Sequence, residues 1–356
     1  MADNQSFPLQ ARQQYAVETL RVNGTMTPAP RGGATLSQLE NGEIYLIGGA
    51  NRETHSFGDA HRFDFETKTW SLVVPERGNL PARSGHSAIA IGDEIVVFGG
   101  LDPTECIVYD DVHIFSTRTR QWRQPDVEGW MPQPRNAHAA IRLPDQDGQH
   151  RILIYGGSSP SHGAFDDLYV LEMSIEDRAA PLRWDRIEDK QSEGAQDEIP
   201  EARELHIATF LTDKQVCFSG GRNRDGSICT DMALLDIESW RWQLVPICEW
   251  NRCSHAAGLV DGTLVSFGGW NGGAITDDTW EYADNEESWL SAQITSPSKD
   301  EKDPERDETQ IPERFGHCGC TIQPNKDSPT GLLVFGGMNG EQDLNDLVWI
   351  TCVSQT

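Results

Sequence analysis

A β-propeller of six four-stranded blades, an all-β fold, is what three periodic features of this 356-residue sequence predict. Six glycine pairs recur, each closing a short apolar run. Each pair is followed by an Asp and, in five cases, by a Trp. Each is preceded by an Arg, and in five cases a His stands three residues after that Arg. Self-similarity at a period of tens of residues marks a repeat architecture, and a unit built only of short strands marks a blade repeated about an axis.

The second strand of each unit is the clearest. Gly48-Gly49, Gly99-Gly100, Gly156-Gly157, Gly220-Gly221, Gly268-Gly269 and Gly336-Gly337 follow one another at intervals of 51, 57, 64, 48 and 68 residues. The runs they close, such as Ile95-Val96-Val97-Phe98 and Leu332-Leu333-Val334-Phe335, are short and rich in β-branched residues. Runs of this kind ended by glycine read as buried strands. Glycine there allows backbone conformations and close approaches that a Cβ would block.

The first strand is opened by Arg-x-x-His, with Arg at 31, 83, 135, 203, 252 and 314 and His at 86, 138, 206, 255 and 317; the first unit has Ala34 instead. Five histidines at one repeat position are expected to be structural, hydrogen-bonding within the blade. The third strand opens on Asp59, Asp111, Asp167, Asp231, Asp278 and Asp346, expected as turn or cap groups. The fourth carries Trp70, Trp122, Trp184, Trp242 and Trp289, eleven residues after the Asp in four units and seventeen in the third. Each is large enough to pack one blade on the next.

The sixth unit lacks this Trp, since eleven residues past Asp346 lies beyond Thr356. The segment Gln14-Tyr15-Ala16-Val17-Glu18-Thr19-Leu20 precedes Pro30-Arg31, where fourth strands sit in the other units, with Tyr15 in place of the Trp. An N-terminal strand is therefore expected to complete the last blade. The expected organisation is one domain over 1–356: a closing strand within 1–22 and repeats at about 31–70, 83–122, 135–184, 203–242, 252–289 and 314–353. Two acidic inserts, 185–201 and 296–313, read as solvated loops.

Co-registered copies of Arg-x-x-His, Gly-Gly, Asp and Trp resemble the kelch-repeat family over residues 15 to 353. The resemblance implies a non-catalytic protein-protein interaction scaffold. Within the family, Ile47-Gly48-Gly49-Ala50-Asn51, Leu333-Val334-Phe335-Gly336-Gly337-Met338-Asn339 and the acidic insert before the last blade resemble the Rab9-effector type. That likeness implies an adaptor in vesicle trafficking that binds a small GTPase. Gly220-Gly221-Arg222-Asn223-Arg224-Asp225 with Trp240-x-Trp242 resembles kelch substrate receptors of ubiquitin ligases, in which an Arg at the position of Arg222 holds a peptide C-terminus. Ser227 and Cys253 stand where those receptors carry an Arg and a Ser.

Composition narrows the partners. With 29 Lys+Arg against 56 Asp+Glu, a net charge of −27, nucleic acid is excluded as a partner, because holding phosphates takes clustered bases. No apolar run approaches the ~20 residues of a membrane helix, and Met1-Ala2-Asp3-Asn4 opens nothing like a signal peptide. The chain is expected to be a cytoplasmic monomer, at endomembranes only through a partner. Eight cysteines without a Cys-x-x-Cys pair read as reduced thiols.

Neither a catalytic motif nor a cofactor or metal site is expected. There is no Gly-x-Ser-x-Gly, His-Glu-x-x-His or phosphate loop. The iron motif of kelch specifier factors fails at Tyr109, between Glu105 and His113. In an up-and-down blade, the loops before each Arg and after each Gly-Gly share one face. Residues there that the repeat does not require are the candidates for partner binding: Arg222, Arg224, Trp270, Asn271, Trp250, Trp130, Phe315, Asn51 and Met338.

Overall fold

The computed structural model describes residues 13–187, 199–247, 250–284, 286–295 and 311–353. Its strands form six sheets, one per repeat, each with four antiparallel strands, successive in the first five blades, around a central channel lined by the first strands. In the first blade these are Thr35–Gln38, Ile44–Ile47, Ala60–Asp64 and Thr69–Val73, in that spatial order. The second strands are the most buried, as their apolar runs require: Ile44–Ile47 and Glu94–Phe98 have no exposed position. No helix occurs among the described residues, and so none is long and apolar enough to cross a membrane. The inserts 185–201 and 296–313 lie outside the described residues except at their margins.

The last blade is completed by the N-terminal strand. Gln14–Leu20 runs antiparallel to Asp343–Cys352, with Tyr15 opposite Cys352 and Leu20 opposite Leu347. Tyr15 is fully buried, packs in one cluster with Phe267 of blade 5, and donates its hydroxyl to Glu281 at 2.8 Å. In register it is Val17, opposite Ile350, that stands where Trp70 stands opposite Phe63, a correction; Tyr15 lies two residues earlier on the same face of the strand and fills the space against blade 5 from there. Trp70 packs edge-on against Phe335 of the preceding blade and Trp184 against Phe98, and Trp242 packs at a tilt on Tyr155, with centroids 4.9–5.5 Å apart. Trp122 and Trp289 join clusters with Ile47 and Cys217 of the blade before. Each tryptophan is the apolar contact between adjacent sheets.

Two blades carry a fifth strand that the four-strand repeat does not predict. After its fourth strand the chain crosses to the outer edge of the next blade and runs parallel to that blade's fourth strand. Val127–Gly129 does so against Leu182–Trp184 and Gln293–Thr295 against Gln14–Ala16, while Asn23 and Arg77 form single bridges of the same kind. These segments cover strand edges that would otherwise be open to pairing with other chains.

Candidate partner-binding face

The face carrying the Arg and Gly-Gly loops is held rigid from beneath. Arg31, Arg83, Arg135, Arg203 and Arg314 are buried and pair with both carboxylate oxygens of Asp59, Asp111, Asp167, Asp231 and Asp346; Arg252 pairs with Asp278. The repeated Asp residues are therefore guanidinium partners, not turn caps. The correction has a simple cause: a buried guanidinium needs a carboxylate, and the start of the third strand is the nearest backbone to supply one. Burial raises the Asp59 and Asp111 carboxyls, but hydrogen bonds from His61 and His113, then from Arg31 and Arg83, outweigh it and hold both well below the usual carboxylate range.

Three of the five repeated histidines bridge blades instead of bonding within one, while the ring nitrogens of His206 and His255 have no hydrogen-bond partner among the described residues. His86 Nε2 lies 3.0 Å from Thr35 Oγ1 of the preceding blade, and His138 Nε2 lies 2.9 Å from Ser87 Oγ. His317 Nε2 lies 3.0 Å from the Ala256 N–H, again one blade back. The first glycine of each pair makes room for this. A Cβ on Gly99 would sit 2.7 Å from the Arg135 carbonyl and 3.2 Å from the His138 ring, and its φ of +65° is unfavourable to any other residue.

Thr35 and Ser87 are matched by Ala139 and Ile207 in blades 3 and 4, which offer no hydroxyl. Both ring nitrogens of His255, which follows blade 4, are left without a hydrogen bond. Ile207→Thr is expected to supply one and raise stability by about 1 kcal/mol. Ile207→Val, which removes a methyl group without adding a hydroxyl, should not. Urea denaturation of the two variants against the parent measures the difference.

At the channel mouth six backbone amides close a ring. Gly85 N–H donates to the Gly33 carbonyl, and the series continues through Ala137, Leu205, Ser254 and Gly316 until Gly33 N–H donates to Gly316, at 2.7–2.9 Å throughout. All six residues have φ between 54° and 65°. Three are not glycine, so the ring holds a conformation these residues otherwise avoid.

Just outside this ring lie six short cross-strand pairs, each joining the residue after the Arg to the residue after the Gly-Gly: Gly32 with Ala50, Ser84 with Leu101, Asn136 with Ser158, Glu204 with Arg222, Cys253 with Trp270, and Phe315 with Met338. Around the mouth they divide by chemistry. Blades 3 and 4 present Asn136, Ser158, Glu204 and Arg222. Blades 5, 6, 1 and 2 present Trp270, Phe315, Met338, Ala50 and Leu101, an apolar crescent whose large members are half-buried.

Of the residues expected on this face, Trp270, Phe315 and Met338 are brought into that crescent. Phe315 and Met338 exchange both backbone hydrogen bonds, at 2.9 and 3.0 Å. Trp250 is not on the face, a correction: it is 1% exposed and stacks on Trp289 at 4.5 Å, because burying its ring there fills the gap beside blade 5. Trp130 is 72% exposed but sits at the end of the extra edge strand of blade 3, its N–H on the Trp184 carbonyl, at the outer rim.

Asn51 and Asn271 shape their own loops. Asn51 Oδ1 accepts the His55 N–H, and Asn271 Oδ1 accepts those of Gly273 and Ala274. Asp102, Asn223 and Asn339, at the same repeat position, do likewise. Arg222 Nε and Nη2 are both 2.7 Å from Glu204 Oε1, so its charge is already matched. Arg224 is exposed and reaches back to the Ala164 carbonyl. Leu101 was missed, though its place directly after a Gly-Gly marks it.

No group of three or more His, Cys, Asp or Glu able to hold a metal occurs among the described residues. The family signature described as KLHDC2/KLHL20/DRC7 Kelch-repeats domain matches residues 2–174 and 108–307. Acyl-CoA-binding domain-containing protein 4 of Arabidopsis thaliana is 28% identical over 70% of this chain and 36% of its own length. Kelch domain-containing protein 3 of Homo sapiens is 27% identical over 64% of this chain and 61% of its own. Host cell factor of Drosophila melanogaster is 26% identical over 68% and 18%. The chain thus spans only part of the relatives it matches. Kelch-repeat domains are in general protein-interaction scaffolds, and on six co-registered repeats, the propeller they build and the matched signature, this chain belongs to the kelch-repeat family.

Proposed function

We propose that the chain is a non-catalytic adaptor that docks a folded protein partner on the apolar crescent at the channel mouth. The observation that supports this reading is the gathering of Trp270, Phe315, Met338 and Leu101 on one arc of a face whose repeat needs none of them, in a chain of charge −27. Aromatic and methionine side chains in such a cluster are the usual anchors of an interface. A small GTPase of vesicle trafficking is the partner class that the Ile47–Asn51 and Leu333–Asn339 stretches favour.

Capture of a peptide C-terminus at Arg222 is the competing reading. It is weakened by Glu204, which a terminal carboxylate would have to displace from the same guanidinium. The two separate in one experiment. Small GTPases loaded with GTP analogue or GDP are screened for binding, and the hit is measured against Trp270→Ala, Arg222→Gln and a partner with its C-terminus blocked. The crescent reading expects Trp270→Ala to cost about 2 kcal/mol or more of affinity with the melting midpoint unchanged, and blocking to do nothing. Loss on blocking and with Arg222→Gln, with Trp270→Ala harmless, refutes it.

A further inference from the structure

The opposite end of the propeller carries a feature at odds with the overall charge. Arg77, Arg118, Arg123 and Arg178 converge on a concavity of about 500 Å³ at the outer rim of blades 2 and 3. They arrive from three places: Arg77 from the edge segment that bridges to Gln121, Arg118 and Arg123 from the turn and fourth strand of blade 2, and Arg178 from the loop between the last two strands of blade 3.

Only two carboxylates answer these four guanidinium groups. Asp93 takes both Arg178, at 2.7 Å, and Arg118, at 3.1 Å, from its two oxygens. Glu94 is 3.4 Å from Arg123. Arg77 is exposed and has no ion-pair partner among the described residues. Thr119 and Gln121 add neutral donors to the wall. The local excess is two positive charges, in a chain where acids outnumber bases nearly two to one. Beyond a Debye length of about 8 Å at physiological salt the overall negative charge is largely screened, so this cluster acts on what enters it.

We propose that this pocket binds a phosphoryl dianion on a peptide, a phosphoserine or phosphothreonine. The charge of a phosphate monoester, about −1.5 to −2 at neutral pH, matches the unanswered charge of the pocket. Guanidinium forks fit phosphate oxygens bidentately, and a phosphate offers three such oxygens to arginines arriving from different directions. Arg178 and Arg118 hold the Asp93 carboxyl below its usual range, Arg178 first, so Asp93 stays ionised and fixes both arginines for a ligand at the pocket side. The site lies at the other end of the molecule from the crescent, and the two proposals stand or fall separately.

Fluorescence polarisation of a labelled phosphoserine peptide against the intact protein tests it. Saturable binding is expected, at least tenfold weaker with the Arg77→Gln/Arg118→Gln double variant and with the unphosphorylated peptide, and unaffected by Trp270→Ala. Both arginines are exposed, and an unchanged melting midpoint establishes that the variant is folded. Absence of saturable binding, equal affinity for the double variant, or indifference to phosphorylation would overturn the proposal. Inorganic phosphate that competes as tightly as the peptide would overturn the peptide assignment.

Discussion

Deleting residues 1–22 is expected to turn a cooperatively folding protein into an aggregating one. The deletion removes the strand that pairs with Asp343–Cys352 and leaves the backbone of Leu347, Val348 and Ile350 as an open edge beside apolar side chains. Such an edge is a template for pairing with other chains. The loss of Tyr15 adds to this. Its ring fills the space against Phe267, and its hydroxyl is the partner of the buried Glu281. Tyr15→Ala alone is expected to cost about 3–5 kcal/mol, a large part of the roughly 5–15 kcal/mol that stabilises a typical domain. Thermal melts with light scattering read both effects. A truncated protein that keeps the parent's midpoint and size would show that the ring does not depend on this strand.

Mild acid is expected to unfold the protein well above the pH at which its carboxylates protonate. Burial first, and the repeat arginines second, push His86, His138, His255 and His317 down to about 3. The unfolded chain takes up a proton at each of these near pH 6.5, whereas the native state does not. Stability is therefore full above pH 6.5 and falls as the pH drops from there toward 3. The loss is on the order of 1 kcal/mol per histidine per pH unit, several kcal/mol in total between pH 7.5 and 5.5. Asp59 and Asp111, depressed in the native state, add a second loss below about pH 4. Urea midpoints at pH 7.5 and 5.5 measure the first slope, and His138→Gln should flatten it by about one proton. Equal midpoints at the two pH values would rule the mechanism out.

Blade number, strand order and ring closure were legible in the sequence because each rests on a residue type that the backbone or the packing demands at a fixed place. Glycine is required where the Arg135 carbonyl and the His138 ring press on Gly99, and a large ring is required where Trp184 meets Phe98. The absence of a sixth Trp, set beside Tyr15, was enough to locate the clasp. Local chemistry of this kind repeats with the blade and so appears as a pattern along the chain.

Whatever depends on which blade a residue faces is set by long-range folding and is not legible in the spacing. Periodicity placed the histidines but not their partners, since Thr35 and Ser87 are neighbours of His86 and His138 across a blade boundary some fifty residues away. It marked Trp250, Trp270 and Trp130 alike as lying outside the repeat. Folding then buried the first against Trp289, set the second beside the channel and left the third on the rim. The same holds for charge. A net of −27 is a property of the whole sequence, whereas four arginines meeting two carboxylates beside Thr119 is a property of three loops brought together by the ring. Sequence spacing determines which element a residue joins; long-range packing and the local balance of charges determine what that residue is free to bind.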